Sequence, residues 1–299
     1  MAENNFSLQK TLTMLLDEKK YHSLRDILST MNPADIAAIF DDLDQACLPL
    51  LFRLLPKELA AETFVEMEPE AQELLIRGFS DSELKEVIDE LYVDDAVDIV
   101  EEMPANVVQR ILSQAEPDMR KQINEILRYP EDSAGSIMTT EYVSLRPNMT
   151  VEEAILRIRR TGIDKETIYT CYVTRGHTLI GLTSVKDLLL CEDDDATIES
   201  IMQEHVITVS TLDDKEQVAQ MFSKYNFLAL PVVDTEDRLV GIVTFDDAMD
   251  VMEDEATEDM EKMAAMLPSE HPYMRSTPIE IWKNRIPWLL LLMVSATLT

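Results

Sequence analysis

Two stretches of this chain follow one plan, and that duplication limits the folds open to it. The first opens with Ser136-Ile-Met138 and closes on Gly181-Leu-Thr-Ser-Val-Lys-Asp187. The second opens with Ser200-Ile-Met202 and closes on Gly241-Ile-Val-Thr-Phe-Asp-Asp247. The openings lie 64 residues apart and the closings 60, so the first copy carries extra residues near Gly162 to Thr170. Between the landmarks the patterns match. A short strand (143–145; 207–209) precedes a helix (151–160; 216–225) and an apolar strand (168–173; 229–233). A turn, a Gly-led strand and a closing helix complete each unit.

Residues 1–130 read differently. They hold one glycine, Gly78, and apolar residues recur at helical spacing, as in Leu84, Val87, Ile88 and Leu91. A phrase recurs at Asn32-Pro-Ala-Asp-Ile36, Leu55-Pro-Lys-Glu-Leu59 and, more loosely, Val93-Asp-Asp-Ala-Val97. Pro33, Pro56, Pro69, Pro104 and Pro117 punctuate the segment. Proline at a helix start loses no hydrogen bond, and acids there suit the helix dipole. Short helices with tight turns imply a small superhelical stack, a binding or spacer surface rather than a catalytic one. Tyr129-Pro-Glu-Asp-Ser-Ala-Gly135 marks its end.

The net charge is −32, and every segment is acidic. That argues against nucleic acid as a partner, because phosphate binding needs a basic surface. Asp246 to Glu261 carries nine carboxylates and no basic residue. Asp247, Asp250, Asp254, Glu258 and Glu261 recur at i+3 or i+4 and share a helix face. Ala248, Val251, Met252, Ala256, Met260 and Met263 form the apolar counterpart. Like charges at that spacing destabilise a helix, and a bridging cation reverses the sign. From Trp288 the chain turns apolar for twelve residues, roughly 18 Å as a helix against a hydrocarbon core of about 30 Å. It reads as the first half of a membrane span. Trp282 and Trp288 suit the interface, and Arg275, Lys283 and Arg285 place the preceding 285 or so residues in the cytoplasm. Cys47, Cys171 and Cys191 read as reduced thiols. The start of the chain has no signal-peptide pattern.

The tandem units resemble a pair of CBS domains, a Bateman module. With a helical domain before them and an apolar run after, the whole chain resembles the cytosolic region of the MgtE family of magnesium transporters. The matching phrases are Tyr129-Pro-Glu-Asp-x-Ala-Gly-x-x-Met138, Leu54-Leu-Pro-Lys57, Val240-Gly-Ile-Val-Thr-x-Asp-Asp247 and Glu255-Ala-Thr-Glu-Asp259. The expected fold is α+β and multidomain. It comprises an α-helical superhelical N domain (1–130), CBS domain 1 (131–195) and CBS domain 2 (196–250). An acidic connecting helix and juxtamembrane segment (251–285) and a truncated membrane segment (286–299) follow.

The resemblance implies Mg2+ ligands at Glu62, Asp94 and Asp98 in the N domain and at Asp247, Asp250, Glu255, Glu258 and Asp259 at the second closure and along the helix. The family often has an acid where this chain has Asn226, which puts one regulatory metal in doubt. It also implies a homodimer through the CBS domains. A second ligand, ATP or another adenine nucleotide, is expected at the first closure. The residues there are Ser184, with Asp187 to meet ribose, Lys186 to meet phosphate, and Tyr169 and Phe227 to flank the base. No Walker A loop, GxGxxG or nucleophile–base spacing is present, so no enzyme is expected. The leading expectation is a magnesium sensor that gates a transporter or channel. The alternatives are an adenosine-nucleotide-sensing CBS module regulating an unrelated transporter or enzyme, and an acidic adaptor without a ligand.

Overall fold

The computed structural model describes residues 2–41, 43–264, 282–283, 285–290 and 293. The chain divides into two compact units. The first is Met1–Glu131 with Met138–Val143 and Ile155–Ile168, and the second holds the remainder.

The first unit is built on ten helices: α1 Ala2–Asp17, α2 Tyr21–Leu28, α3 Pro33–Asp41, α4 Leu48–Phe52, α5 Lys57–Val65, α6 Pro69–Gly78, α7 Asp81–Ile88, α8 Val93–Glu102, α9 Ala105–Gln114 and α10 Pro117–Ile126. The expected prolines stand at their starts. Pro33, Pro69 and Pro117 open α3, α6 and α10, while Pro56 and Pro104 occupy the N-cap positions of α5 and α9. Phe52, Phe64 and Phe79 form the aromatic centre of the core, with ring centroids 5.4 to 6.5 Å apart. The end of α6 is stitched down by two arginines. Arg53 donates to the Gly78 carbonyl at 3.4 Å and to Glu83 at 2.6 Å. Arg110 donates to the carbonyls of Ile76 and Phe79. Carbonyls at a helix end lack intrahelical partners, and guanidinium groups supply them here.

The second unit holds most of the duplicated plan. Copy 1 comprises β1 Tyr142–Leu145, α11 Val151–Thr161, β2 Thr167–Arg175, β3 Thr178–Ser184 and α12 Val185–Leu190. After α13 Ile198–Ile201, copy 2 comprises β4 Val209–Ser210, α14 Lys215–Tyr225, β5 Ala229–Val233, β6 Leu239–Thr244 and α15 Phe245–Met263. Each copy forms a three-stranded sheet in the order first, second, third strand. The likeness extends to irregularities. The β2/β3 ladder shifts register at Val173/Thr174 opposite Gly181, and β5/β6 shifts at Val232/Val233 opposite Gly241. A side chain on Gly181 would meet Met202 Sδ at 2.7 Å and the Gln203 carbonyl at 2.9 Å. Those neighbours belong to a bridge in which Gln203 and Leu182 exchange backbone hydrogen bonds.

The copies also complete each other. Residues leading into copy 1 bond to copy 2: Ala134 N–H to Asp213, Gly135 N–H to Thr211, with Lys215 N–H returning to Asp132. Residues leading into copy 2 bond to copy 1: Ile198 N–H to Met149, with Val151 N–H returning to Ala196. The hairpin tips touch reciprocally, Leu179 N–H to Asp237 and Leu239 N–H to His177. Gly176 and Asp237 take positive φ at these tips.

Two expectations shift. The strand expected over 207–209 is Val209–Ser210. The apolar face expected along α15 is buried only at Ala248 and Val251. Ala256 is exposed, and Met252, Met260 and Met263 are 37%, 69% and 88% exposed. Most of the expected membrane segment, at 291, 292 and 294–299, lies outside the described residues, as do Arg275 and the linker 265–281. Among the described residues no helix is long and apolar enough to cross a membrane.

Candidate functional site

The two closures share one local device. At the β3–α12 junction Ser184 Oγ receives the Asp187 N–H at 3.0 Å, and Asp187 accepts the Ser184 hydroxyl at 2.7 Å and N–H at 3.3 Å. At the β6–α15 junction Thr244 and Asp247 form the same capping box. Asp187, expected at ribose, and Asp247, expected at metal, thus each serve first as a helix cap. One oxygen of each carboxylate is engaged at the N-terminus of its own helix, as the hydroxyl–x–x–carboxylate spacing allows. Thr170 pairs with Ser184 across the sheet, so Tyr169, 67% exposed, stands beside the first closure. Lys186 and Asp187 are exposed there too. Phe227 does not stand alone. It packs edge-on against Phe222 at 6.4 Å and lies 5.3 Å from the Tyr225 ring.

Asp247 is half-buried, and loss of hydration pushes its carboxyl up to about 6, with the charges of Asp246 and Asp250 adding to the rise. The Thr244 hydrogen bonds oppose it. One and two turns further, half-buried Glu255 and Glu258 continue the line of Ala248 and Val251. Positions 248, 251, 255 and 258 fall on one helix stripe. Carboxylates, not methionines, thus extend the packed face of α15. Glu255 is raised by burial first, then by Glu216 of α14 and by Glu258. Glu258 pairs with Lys262 at 2.7 Å. Asp250 and Asp259 are exposed. In the first unit Glu62 is exposed on α5, Asp94 is buried in the first turn of α8, and Asp98 is exposed one turn later.

Among the described residues, no three acids, histidines or cysteines gather closely enough to ligate a metal by themselves. The donor set is oxygen throughout and spread along helices, which suits a hard cation held partly through water better than a dehydrated cage. Asn226 has its own reason to be there. It ends α14 with φ 56°, and its N–H returns to Phe222 at 2.8 Å. Asparagine tolerates this left-handed position well.

The sequence reading missed an apolar groove of about 360 Å³. Phe222, Phe227 and Leu228 form one side, and Phe245, Met249 and Met252 the other. Leu228 is 59% exposed and Phe245 46%. The signal was present at Phe245, Met249 and Met252, whose i, i+4, i+7 spacing makes a second apolar stripe on α15.

Known proteins match this arrangement along its length. The MgtE intracellular N domain family matches residues 31–132, and the CBS domain family matches 134–192 and 198–254. A Magnesium transporter MgtE of Thermus thermophilus is 38% identical over 298 residues, 98% of this chain and 66% of its own length. One of Bacillus subtilis is 30% identical over 94% of this chain and 62% of its own. The chain thus spans somewhat under two thirds of these curated relatives. A solved structure described as the cytosolic domain of the Mg2+ channel MgtE in complex with ATP superposes with TM-score 0.76 at 38% identity. It covers 81% of this chain and 99% of that one. The soluble part of a magnesium transporter, at 33% identity, gives TM-score 0.76 and covers 86% and 100%.

Proposed function

Because the chain belongs to the MgtE family, we propose that it is the cytosolic magnesium-sensing and gating region of a magnesium transporter or channel. Mg2+ neutralises acidic faces and favours a compact, closed state. Without the ion the carboxylates repel and the assembly opens. The observation that supports this most directly is the packed face of α15, where Glu255 and Glu258 follow Ala248 and Val251 inward and Asp247 has lost hydration. Lys262 counters Glu258 within the helix, which leaves Asp247 and Glu255 as the charges a cation would counter. The residues that would hold the ion are Asp247, Asp250, Glu255, Glu258 and Asp259, with Glu62, Asp94 and Asp98 in the first unit. Gating follows from linkage, since the ion shifts the equilibrium by its preference for the compact state. Small-angle scattering with and without millimolar Mg2+ tests it. The radius of gyration falls on adding Mg2+, and an unchanged radius overturns the reading.

The proposed assembly is a homodimer through the CBS domains, attached to the membrane beyond residue 285. The exposed groove between α14 and α15 supports self-association, because an apolar face of this kind is costly to leave in water. Sedimentation of the Met249→Asp variant tests it: the dimer weakens if the groove is the contact.

The exposed Tyr169, Lys186 and Asp187 beside Ser184 favour a second ligand, an adenine nucleotide at the first closure. Titration calorimetry with ATP, AMP and Mg2+ separates the readings. Nucleotide binding without any magnesium response favours a nucleotide sensor instead.

A further inference from the structure

Helix α11 has two unlike faces. Val151, Ala154 and Ile158 are buried, and Ile155 is half-buried. The opposite face carries Glu152, Leu156 and Arg160 at a spacing of four, flanked by Glu153 and Arg159, all exposed. Acids stand in the first turn and arginines in the last. The acidic end is reinforced by its neighbour. The Glu152 N–H donates to the Asp194 carbonyl at 3.2 Å, and Asp193, Asp194 and Asp195 are exposed.

Copy 2 shows such a face satisfied within its own chain. Counted from the caps, Thr150 in copy 1 and Asp214 in copy 2, the same three positions of α14 hold Glu216, Gln220 and Lys224. Gln220 donates to Glu216 at 3.0 Å, and Lys224 stands 4.8 Å over the Tyr225 ring. In α11, among the described residues, no hydrogen bond or ion pair reaches the side chains of Glu152, Arg157, Arg159 or Arg160. Yet acids outnumber bases 58 to 26 in this chain. The central position is Leu156, 41% exposed, in place of an amide. The helix dipole favours acids first and bases last. It gives no reason for a leucine to stand in water between them.

We propose that this face is a contact between two copies of the chain, with the α11 helices antiparallel across a two-fold axis at Leu156. Leu156 is the midpoint of the helix, which runs Val151–Thr161. The proposal deepens the homodimer reading above, on which it rests, by giving it a register. A two-fold contact is reciprocal. Glu152 meets the partner's Arg160, Glu153 meets the partner's Arg159, and the two leucines meet each other. An anionic membrane fits the face less well, because its acidic end repels the phosphates that its basic end attracts. Exposed charge pairs of this kind fix orientation more than they add affinity.

The test uses the full chain and two charge reversals, Glu152→Arg and Arg160→Glu, read by sedimentation and by native mass spectrometry of mixtures. Each variant alone sets like charges against each other twice, and its dimer dissociation constant rises roughly tenfold. Mixing the two variants restores a heterodimer near wild-type affinity, because each reversed position then meets its opposite charge. The double variant restores the homodimer. Salt at about 0.5 M shrinks these differences. A charge that serves only its own helix cannot be rescued by a partner, so absence of rescue overturns the contact. If the wild type dimerises and neither reversal weakens it, the α11 contact fails while the homodimer reading stands. A wild type that stays monomeric overturns both. Should a reversal prevent folding, Glu152→Gln and Arg160→Gln replace the pair. Each then weakens the dimer about threefold, and no weakening refutes the proposal.

Discussion

The two copies close with the same capping box and then diverge. In copy 1, α12 runs six residues and stops at Cys191. In copy 2, α15 runs nineteen. The sequences after the box explain the difference. Copy 1 continues Cys191-Glu-Asp-Asp-Asp195, where Asp193 accepts the Asp195 N–H at 3.1 Å in a side-chain turn. Copy 2 continues Val251-Met-Glu-Asp-Glu-Ala256, with Val251 buried. Aspartate competes for its own backbone, whereas glutamate and alanine favour helix. One scaffold therefore yields a short closure in one place and a long acidic rod in the other. The rod is an elaboration of a closure, not a separate module.

The contrast can be broken at several points. The largest effect is expected at Leu188, 1% exposed and the only buried side chain of α12. Leu188→Ala costs about 2–5 kcal/mol in urea unfolding. In α15 the burial is shared by Ala248 and Val251, so Val251→Ala costs only about 1–2 kcal/mol. Equal losses would contradict the idea that α15 is held at more points. Next come the caps. Ser184→Ala costs about 1 kcal/mol. Thr244→Ala costs about 2 kcal/mol, because it also strips hydrogen bonds from a half-buried carboxylate. Another capping box, Ser80 and Glu83 at the start of α7, calibrates both. The Arg53 hydrogen bond, aided by Ser80, holds Glu83 down to about 2, so its contribution is present above the usual carboxylate value and fades as pH falls through 2. The pair is partly exposed, so Glu83→Gln should lower stability at neutral pH by only about 1 kcal/mol. By pH 2 that difference should shrink. A constant difference would remove the ion pair from the account. The smallest effect tests the cause of the divergence itself. Replacing Asp193, Asp194 and Asp195 by Glu, Ala and Glu should lengthen α12 at a gain of a few tenths of a kcal/mol per residue. The readout is amide exchange across 191–195.

Much of this was legible because its causes are local. Prolines at 33, 56, 69, 104 and 117 announce helix starts, and the glycines at 181 and 241 announce the paired ladders of the duplicated plan. The capping boxes were equally local, and Asp187 and Asp247 stand in them while remaining the expected ligands, because one carboxylate can serve both uses. Ala256, Met260 and Met263 misled because apolar spacing marks a stripe without saying whether anything covers it. Here the packed stripe of α15 continues through Glu255 and Glu258, and Ala256, Met260 and Met263 are left exposed among the described residues. Glu141, which accepts the Val93 N–H at the start of α8, was beyond reach, since nothing at Tyr92 or Val93 shows that the acceptor lies 48 residues away. Asn226 read as a lost charge, while its backbone makes it a fitting left-handed terminus.

The reciprocal bonding of the copies has a consequence for the order of synthesis. Ala134 and Gly135 find their acceptors at Asp213 and Thr211, and Lys215 returns to Asp132. A nascent chain that has emerged only to Leu190 has therefore translated all of copy 1 without the means to finish it. The first copy must wait for the start of the second, and a ribosome paused between them holds an incomplete domain. Cleavage within 191–195 should accordingly leave two copies that are each completed only on meeting, while the helical first unit keeps its own core.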